Sequence, residues 1–329
     1  VRPDIHFPDA HFMAAAIALS ERGRGRTAPN PNVGCIIVKD GHIVGRGWTQ
    51  PGGRPHAEAM ALAQAGELAR GATAYVTLEP CYHQSERGPA CSALLRESRI
   101  ARVVIAARDP DKRTDGQGAA MLGLLGVDVE LGVLEREARA AMAGFFTRQA
   151  LGRPHVTLKL ATSLDGQIAR ADGESQWITG PQARAHTHLE RARHDAILVG
   201  SGTVAADKPR LDVRLAGLEE RSPRRVMLGG GKAPRGWTAI DDPMAIAGLP
   251  QTDFLMVEGG ARAASVFIAA DLVDRLLLYR APILLGAGRA ALGDIGLQTL
   301  AQAHGRWRLT DARMLGPDRM ELYERVRAA

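Results

Sequence analysis

The sequence predicts an α/β protein made of two successive wound units. Three observations carry this. A chain of 329 residues is long for one domain, at roughly 100–200 residues each. Its 45% hydrophobic and 24% charged residues are ordinary globular usage, which leaves no room for a disordered or fibrous chain. Strand-like apolar runs alternate with Ala-rich helical segments from end to end, the pattern of a layered α/β fold.

Taken in order, 9–20 (DAHFMAAAIALS) reads as a first helix opened by Asp9. Apolar runs at 33–38 and 41–48 are joined by Lys39-Asp40-Gly41, and the Asp-Gly pair predicts a hairpin. Helices are predicted at 56–69, 89–98 and 119–125, alternating with strands at 72–78, 102–107 and 127–131. That makes an α/β layer sandwich with a partly parallel sheet. A single helix at 135–150 runs into Leu151-Gly152-Arg153-Pro154, a helix stop followed by a proline that cannot continue it. The boundary therefore falls between 1–150 and 151–329. Beyond it, strands are predicted at 155–160, 196–199, 225–228, 254–258 and 275–279, with helices at 181–192 and 261–270. A pair at 306–311 and 319–326 closes this second sheet with antiparallel strands.

The formal charge of +6 is spread over both halves and suits phosphorylated small molecules. A nucleic-acid-binding module would cluster basic and aromatic side chains on one surface, and aromatic residues make up only 4%. Nucleic acid is therefore not an expected partner. Three cysteines cannot make a disulfide framework and point to a reducing, cytoplasmic setting or to metal ligation. No apolar run nears the ~20 residues of a membrane span. Asp4, His6 and Asp9 stand where a signal peptide would be apolar, so neither a membrane nor secretion is expected.

The first chemical constellation is His56-Ala57-Glu58 at a helix start, Pro80-Cys81 after a strand, and Cys91 beside another helix start. One imidazole and two thiolates are the protein ligands of a catalytic zinc that keeps a fourth position open. In zinc deaminases a non-ligating glutamate, here Glu58, moves protons while water attacks an amidine-like ring carbon; the signature of that class is His-x-Glu followed by Pro-Cys-x-x-Cys. Any one of these residues alone is more often structural, and it is their combined order that points to the metal. Cys35 sits inside an apolar run and reads as core. His83 reads as a pocket residue, with ligation as its alternative.

The second half holds 158–161 (LKLA), 163–166 (SLDG), 173–179 (GESQWIT) and 200–214 (GSGTVAADKPRLDVR). Strand ends that run into Gly, Ser, Thr and Asp are where open α/β sheets bind ligands. Glu258-Gly259-Gly260 adds a glycine turn before a helix, suited to phosphate and equally to a plain strand-to-helix turn. Neither the dinucleotide fingerprint nor the P-loop is present, so the residues by themselves specify only a phosphate or nucleotide ligand.

With these segments laid out, together with 29–35 (PNPNVGC), 177–180 (WITG) and 195–200 (DAILVG), the chain resembles the bifunctional riboflavin-biosynthesis deaminase/reductases along nearly its whole length. The resemblance implies a cytidine-deaminase-like three-layer sandwich followed by a dihydrofolate-reductase-like α/β domain. It implies zinc-dependent deamination of 2,5-diamino-6-(5-phosphoribosylamino)-4-pyrimidinone, then NADPH-dependent reduction of the ribosyl chain to ribityl. Carried over residue by residue, His56, Cys81 and Cys91 are the zinc ligands and Glu58 the proton shuttle. Asn30 and Asn32 hydrogen-bond the ring. Ala161, Trp177, Thr203, Asp207, Gly259 and Gly260 contact the cofactor. Ser175, Arg191, Leu211, Arg214 and Glu258 hold the substrate, the Arg214 guanidinium suiting its phosphate. Hydride placement within about 3–3.5 Å matters more there than a strong acid or base, so no essential base is assigned. A homo-oligomer built through the reductase domains is also implied.

Two segments depart from the family. Between the zinc cysteines the family reads Pro-Cys-x-His-x-Gly-Arg-Thr-Pro-Pro-Cys, whereas this chain has one extra residue and no Gly-Arg-Thr. Arg87 is placed to stand in for the family arginine, with Glu86 an unfavourable neighbour for an anion. Residues 227–254 read only as a Gly/Pro-rich passage where the family has a further strand and helix beside the cofactor. The alternative is another nucleobase deaminase fused to a degenerate reductase-like module.

Overall fold

A computed structural model describes residues 8–83 and 88–327. Asp4, His6, Glu86 and Arg87 lie outside the described residues. The chain divides into two compact units, Val1–Gly152 and Arg153–Ala329.

In the first unit α1 (Asp9–Ser20) precedes the hairpin β1 (Gly34–Lys39) and β2 (His42–Trp48), followed by α2 (Ala57–Ala65), β3 (Thr73–Leu78), α3 (Cys91–Glu97), β4 (Arg102–Ala107), α4 (Gln117–Leu124) and β5 (Asp128–Leu131). The sheet order is β2-β1-β3-β4-β5. Strand β1 runs antiparallel to both β2 and β3, while β3, β4 and β5 are parallel. The Asp40-Gly41 turn has φ of 50° and 75°, the left-handed pair that a two-residue hairpin turn requires. Gly45 and Gly47 on β2 set the depth of α2. A Cβ at Gly47 would lie 2.0 Å from the Ala57 carbonyl oxygen, and one at Gly45 would lie 2.2 Å from that of Ala61. The helix that carries Glu58 therefore rests directly on the hairpin backbone.

The predicted helix 135–150 is two, α5 (Glu135–Ala141) and α6 (Ala143–Leu151), broken at Met142 with φ −104° and ψ 23°. At the break the side-chain amide of Asn32 donates to the Ala141 carbonyl at 3.1 Å. A side chain inserted at the backbone ladder is a recognised cause of such kinks.

The second unit has β6 (His155–Thr162), β7 (Gln167–Ala169), α7 (Pro181–Arg191), β8 (Ala196–Gly200), α8 (Ser201–Asp207), β9 (Arg224–Leu228), β10 (Thr238–Ile240), β11 (Phe254–Val257), α9 (Ala261–Ala269), β12 (Arg275–Arg280), β13 (Arg289–Ala290), β14 (Trp307–Leu315) and β15 (Asp318–Arg325). Its eight-stranded sheet runs β10-β9-β8-β11-β6-β12-β15-β14. The strands from β10 to β12 are parallel, and the β12-β15-β14 end is antiparallel. The passage 227–254 is more than a Gly/Pro-rich linker: it supplies β10, parallel to β9, and a 3₁₀ turn, Pro243–Gly248, capped by the Asp242 side chain. A three-residue edge strand is too short to show a period of two. The same brevity hid α8 and the β7/β13 ribbon. Among the described residues no helix is long and apolar enough to cross a membrane.

Candidate active sites

In the first unit the C-terminal ends of the parallel strands deliver side chains to one cavity of about 340 Å³. His56 is the N-cap of α2, Cys81 follows β3, and Cys91 is the first residue of α3. Their ligand atoms all lie within 4.8 Å of one another. His56 Nδ1 stands 3.3 Å from Cys91 Sγ and 3.6 Å from Cys81 Sγ, so Nδ1 is the atom turned toward the thiols. The backbone N–H of Cys91 donates to Cys81 Sγ at 3.3 Å. The Cys91 side-chain hydrogen bond, together with those from His56 and the Cys91 backbone, pulls the Cys81 thiol far below the ordinary thiol range; Cys91 is pushed the other way by Cys81 and by burial. A histidine nitrogen and two sulfurs converging on one point, one of them a ready thiolate, fit a zinc ion.

Glu58 lies in the first turn of α2, 4% exposed, and burial raises its carboxyl pKa. Burial works against the charge on His56, but the hydrogen bond to Cys81 and the nearby Glu58 outweigh it and raise the imidazole. Asn30 lines the cavity and places Nδ2 3.2 Å from His56 Nε2 while donating to the Gly53 carbonyl. Asn32 does not line it. Its side chain is 2% exposed and donates to the Ser20 and Ala141 carbonyls, so the expectation that it meets the ring is corrected to a brace between the loop and the helix break. Cys35 is buried in the core and His83 lines the cavity.

Sequence reasoning missed the far wall: Arg54, Asp109, Asp111 and Arg113. The last three follow β4 as Cys81 follows β3, and that repeated placement after a parallel strand was the available signal. Burial lifts the Asp109 carboxyl to about 6, while the hydrogen bonds of Arg113 hold Asp111 at about 2. Glu79 holds this wall in place. Its buried carboxylate accepts from the backbone N–H groups of Asp109, Gly116 and Ala119 at 3.3, 2.9 and 3.1 Å. A Cβ at Gly118 would fall 2.1 Å from the Pro80 carbonyl oxygen, so α4 packs against the strand end with no side chain between.

In the second unit a cavity of about 470 Å³ opens at the C-terminal ends of β6, β8 and β11. Ala161, Ser175, Trp177, Arg191, Thr203 and Asp207 line it, as do Leu211, Arg214, Glu258, Gly259 and Gly260. Every residue singled out in this half is thus brought together. Arg191 and Glu258 are committed first to each other, Nε and Nη2 meeting the carboxylate at 2.6 and 2.8 Å with little exposure. Despite burial, these bonds hold the Glu258 carboxyl below the usual range. Arg214 Nε lies 3.4 Å from His188 Nε2. Trp177 is 64% exposed at the rim, with the Arg184 guanidinium 4.9 Å from its ring. Lys159 was missed as a site residue; it lines the cavity with its ammonium pKa depressed by burial. An aromatic rim, strand-end glycines and a wide cleft of mixed charge fit a nicotinamide nucleotide and a phosphorylated partner.

Fold and site together define a bifunctional enzyme, a zinc-type deaminase joined to an α/β reductase. Residues 8–107 match the family described as cytidine and deoxycytidylate deaminase zinc-binding region, and residues 154–234 and 238–320 match the RibD C-terminal domain. The chain belongs to the riboflavin biosynthesis protein RibD family and carries the deaminase and reductase activities of riboflavin biosynthesis. It is 40% identical to RibD of Escherichia coli over 94% of this chain and 97% of that protein, and 42% identical to RibD of Mycobacterium tuberculosis over 93% and 94%. Among solved structures it is similar to Acinetobacter baumannii RibD, form 1 (TM-score 0.87, 36% identity, 97% and 99% of the chains covered). A diaminohydroxyphosphoribosylaminopyrimidine deaminase/5-amino-6-(5-phosphoribosylamino)uracil reductase from Thermotoga maritima matches with TM-score 0.86, 32% identity and the same coverage.

Proposed function

We propose that the first unit deaminates 2,5-diamino-6-(5-phosphoribosylamino)-4-pyrimidinone and that the second reduces the product's ribosyl chain to ribityl with NADPH. The observation that carries the first half is the convergence of His56, Cys81 and Cys91 beside a buried glutamate. These three residues hold zinc, which when bound acidifies water for attack on the ring carbon. Glu58 is not a ligand. Its raised pKa suits it to accept the proton of the attacking water and hand it on, so that the new C–O bond replaces a C–N bond and ammonia leaves. Asn30 positions the ring and the His56 imidazole, and Asp109 and Asp111 are placed to accept hydrogen bonds from its amino groups.

In the second unit Ala161, Trp177, Thr203, Asp207, Gly259 and Gly260 hold the nicotinamide nucleotide, whose chemistry is hydride donation. Ser175, Leu211 and the Arg191–Glu258 pair orient the ring-opened ribosyl chain, with Arg214 on its phosphate. Reduction places hydride on the imine carbon and a proton on its nitrogen, and Lys159 is the side chain placed to hold that proton. No strong base is needed. The chain works in the cytoplasm as a homo-oligomer through its second units, a reading supported by the outer strand β14, which exposes Leu309 and Met314. Light scattering on the purified chain checks it.

The deciding experiment incubates the protein with the diaminopyrimidinone ribotide, with and without NADPH, and follows both products. Ammonia release with NADPH oxidation is expected. Ammonia release alone would sink the reductase half and favour a deaminase fused to an inactive module.

A further inference from the structure

His188 lines the reductase cavity from α7, three residues before Arg191, and its ring bridges two points of the segment that leads from α8 to Arg214. Nδ1 lies 3.1 Å from the Asp212 carbonyl oxygen, and Nε2 lies 3.4 Å from Arg214 Nε. A guanidinium has no acceptor and stays protonated in a protein, so the Nε2 beside it must be the bare nitrogen. The hydrogen then sits on Nδ1, where the Asp212 carbonyl accepts it. Were Nδ1 instead to accept from the Arg214 backbone N–H, 3.3 Å away, Nε2–H would be turned against the guanidinium. Burial first, and then the guanidinium groups of Arg191 and Arg214, hold the imidazole pKa below its ordinary value, against the pull of the Asp212 carbonyl and Glu258. The ring is neutral at pH 7. The Asp212 carboxylate, the acid nearest Arg214 in sequence, is drawn to Arg210 at 2.6 Å and stands 3.7 Å from Arg214 Nε. Among the described residues the Nη groups of Arg214 make no hydrogen bond. The Asp212 carbonyl also accepts from Arg191 Nη1 at 3.0 Å. Leu211, just before it, is held at φ 53°, a left-handed conformation that a bulky residue keeps only where its surroundings impose it.

We propose that His188 is a positioning residue of the reductase step: anchored on the Asp212 carbonyl as the Nδ1–H tautomer, it holds Arg214 by Nε and so sets both Nη groups for the substrate phosphate. The inference rests on the reductase reading above, with Arg214 as the phosphate ligand. A half-exposed arginine gives up rotamer freedom when it closes on an anion, and a neighbour that already fixes its Nε removes part of that loss before substrate arrives. The Nη1/Nη2 edge is left for two phosphate oxygens in parallel. Helix α7 carries both His188 and Arg191, so the groups that hold the ribosyl chain and its phosphate are referred to one rigid element. His188 acts through Arg214, and its loss is felt in KM rather than in kcat.

Steady-state reduction of the deaminated ribotide by the full chain, at saturating NADPH, tests this. His188→Ala is expected to raise KM by about three- to tenfold, a part of what one charge-assisted contact contributes, with kcat nearly unchanged and native circular dichroism. Reduction of the corresponding riboside, which lacks the phosphate, should keep its kcat/KM. On an Arg214→Ala background His188→Ala should add nothing, since the two residues act as one unit. Gln carries an acceptor at the reach of Nε2, whereas Asn reaches only as far as Nδ1; His188→Gln should therefore recover most of the lost affinity and His188→Asn should not. Equal losses for ribotide and riboside, additive KM effects in the double variant, or recovery by Asn as complete as by Gln would mean that His188 only packs α7 against the segment, and each overturns the proposal. A raised KM in Arg214→Ala beside a wild-type KM in His188→Ala overturns it too, and leaves the reductase reading standing. An unchanged KM in Arg214→Ala removes the phosphate ligand itself, and the inference falls with that part of the reading.

Discussion

Replacing Glu79 by Gln should loosen the deaminase unit at one identifiable point. The carboxylate is 3% exposed; Oε2 accepts from Asp109 and Gly116, and Oε1 from Ala119. An amide keeps one acceptor oxygen. In its better orientation it retains two of the three bonds and turns an N–H₂ toward the Ala119 N–H. Leaving that buried donor unsatisfied costs about 1–3 kcal/mol. The two surviving bonds fall from charge-assisted to neutral strength, a further loss of about 1–2 kcal/mol in total. Relief of the carboxylate's desolvation returns part of this, which leaves a net loss of about 2–3 kcal/mol. At roughly 2–4 °C per kcal/mol for a unit of this size, the midpoint of thermal inactivation should fall by about 5–10 °C. The assay is ammonia release by the full chain after heating, with NADPH oxidation on separately supplied deaminated substrate as an internal reference that stays put. A shift below about 2 °C would mean that the three amides find other acceptors and that Glu79 is not the brace of the Asp109–Arg113 wall.

Glu58→Gln should lower ammonia release by about 10²–10⁴-fold while metal analysis still finds one zinc per chain; loss of zinc would show that Glu58 had been given the wrong role. Arg214→Ala should raise KM for the reductase substrate with little change in kcat, and an unchanged KM would remove it from the phosphate. Asp274 accepts from Arg153 Nη1 and Nη2 at 2.7 and 2.9 Å and from the Val156 backbone N–H, and these bonds hold its pKa below the ordinary carboxylate value against the effect of burial. Its stabilising contribution is therefore complete above the unfolded value near 4 and is lost as pH falls through the lower folded value. Asp274→Asn should lower the urea midpoint at pH 7 by an amount equivalent to about 3–5 kcal/mol, the usual cost of breaking a buried pair, and should flatten the acid limb. A variant whose midpoint tracks the wild type from pH 7 to pH 3 would refute this.

Much of the molecule was legible because it depends on local order. Alternating apolar runs placed the strands of both sheets, Asp40-Gly41 announced its hairpin, and His56, Glu58, Cys81 and Cys91 stood at helix starts and strand ends where parallel sheets present ligands. Elements of two to seven residues, β7, β10, β13 and α8, left no periodic trace, and the break at Met142 depends on an amide that is 109 residues away in the chain. Nor could positions two residues apart be told apart by sequence. Asn30 and Asn32 share a loop and a residue type, yet one faces the cavity and the other is consumed by backbone carbonyls.

By itself, then, the sequence determined the α/β class, the succession of strands and helices, and the stock of donors and acceptors, since these follow from residue type and short-range periodicity. Which side chains meet was decided by the tertiary structure. Helix α2 lies against bare glycine backbone on β2, Arg191 is matched to Glu258 across 67 residues, and the segments after β3 and β4 face one cavity. Such pairings depend on sheet order and packing distance, which no local pattern encodes.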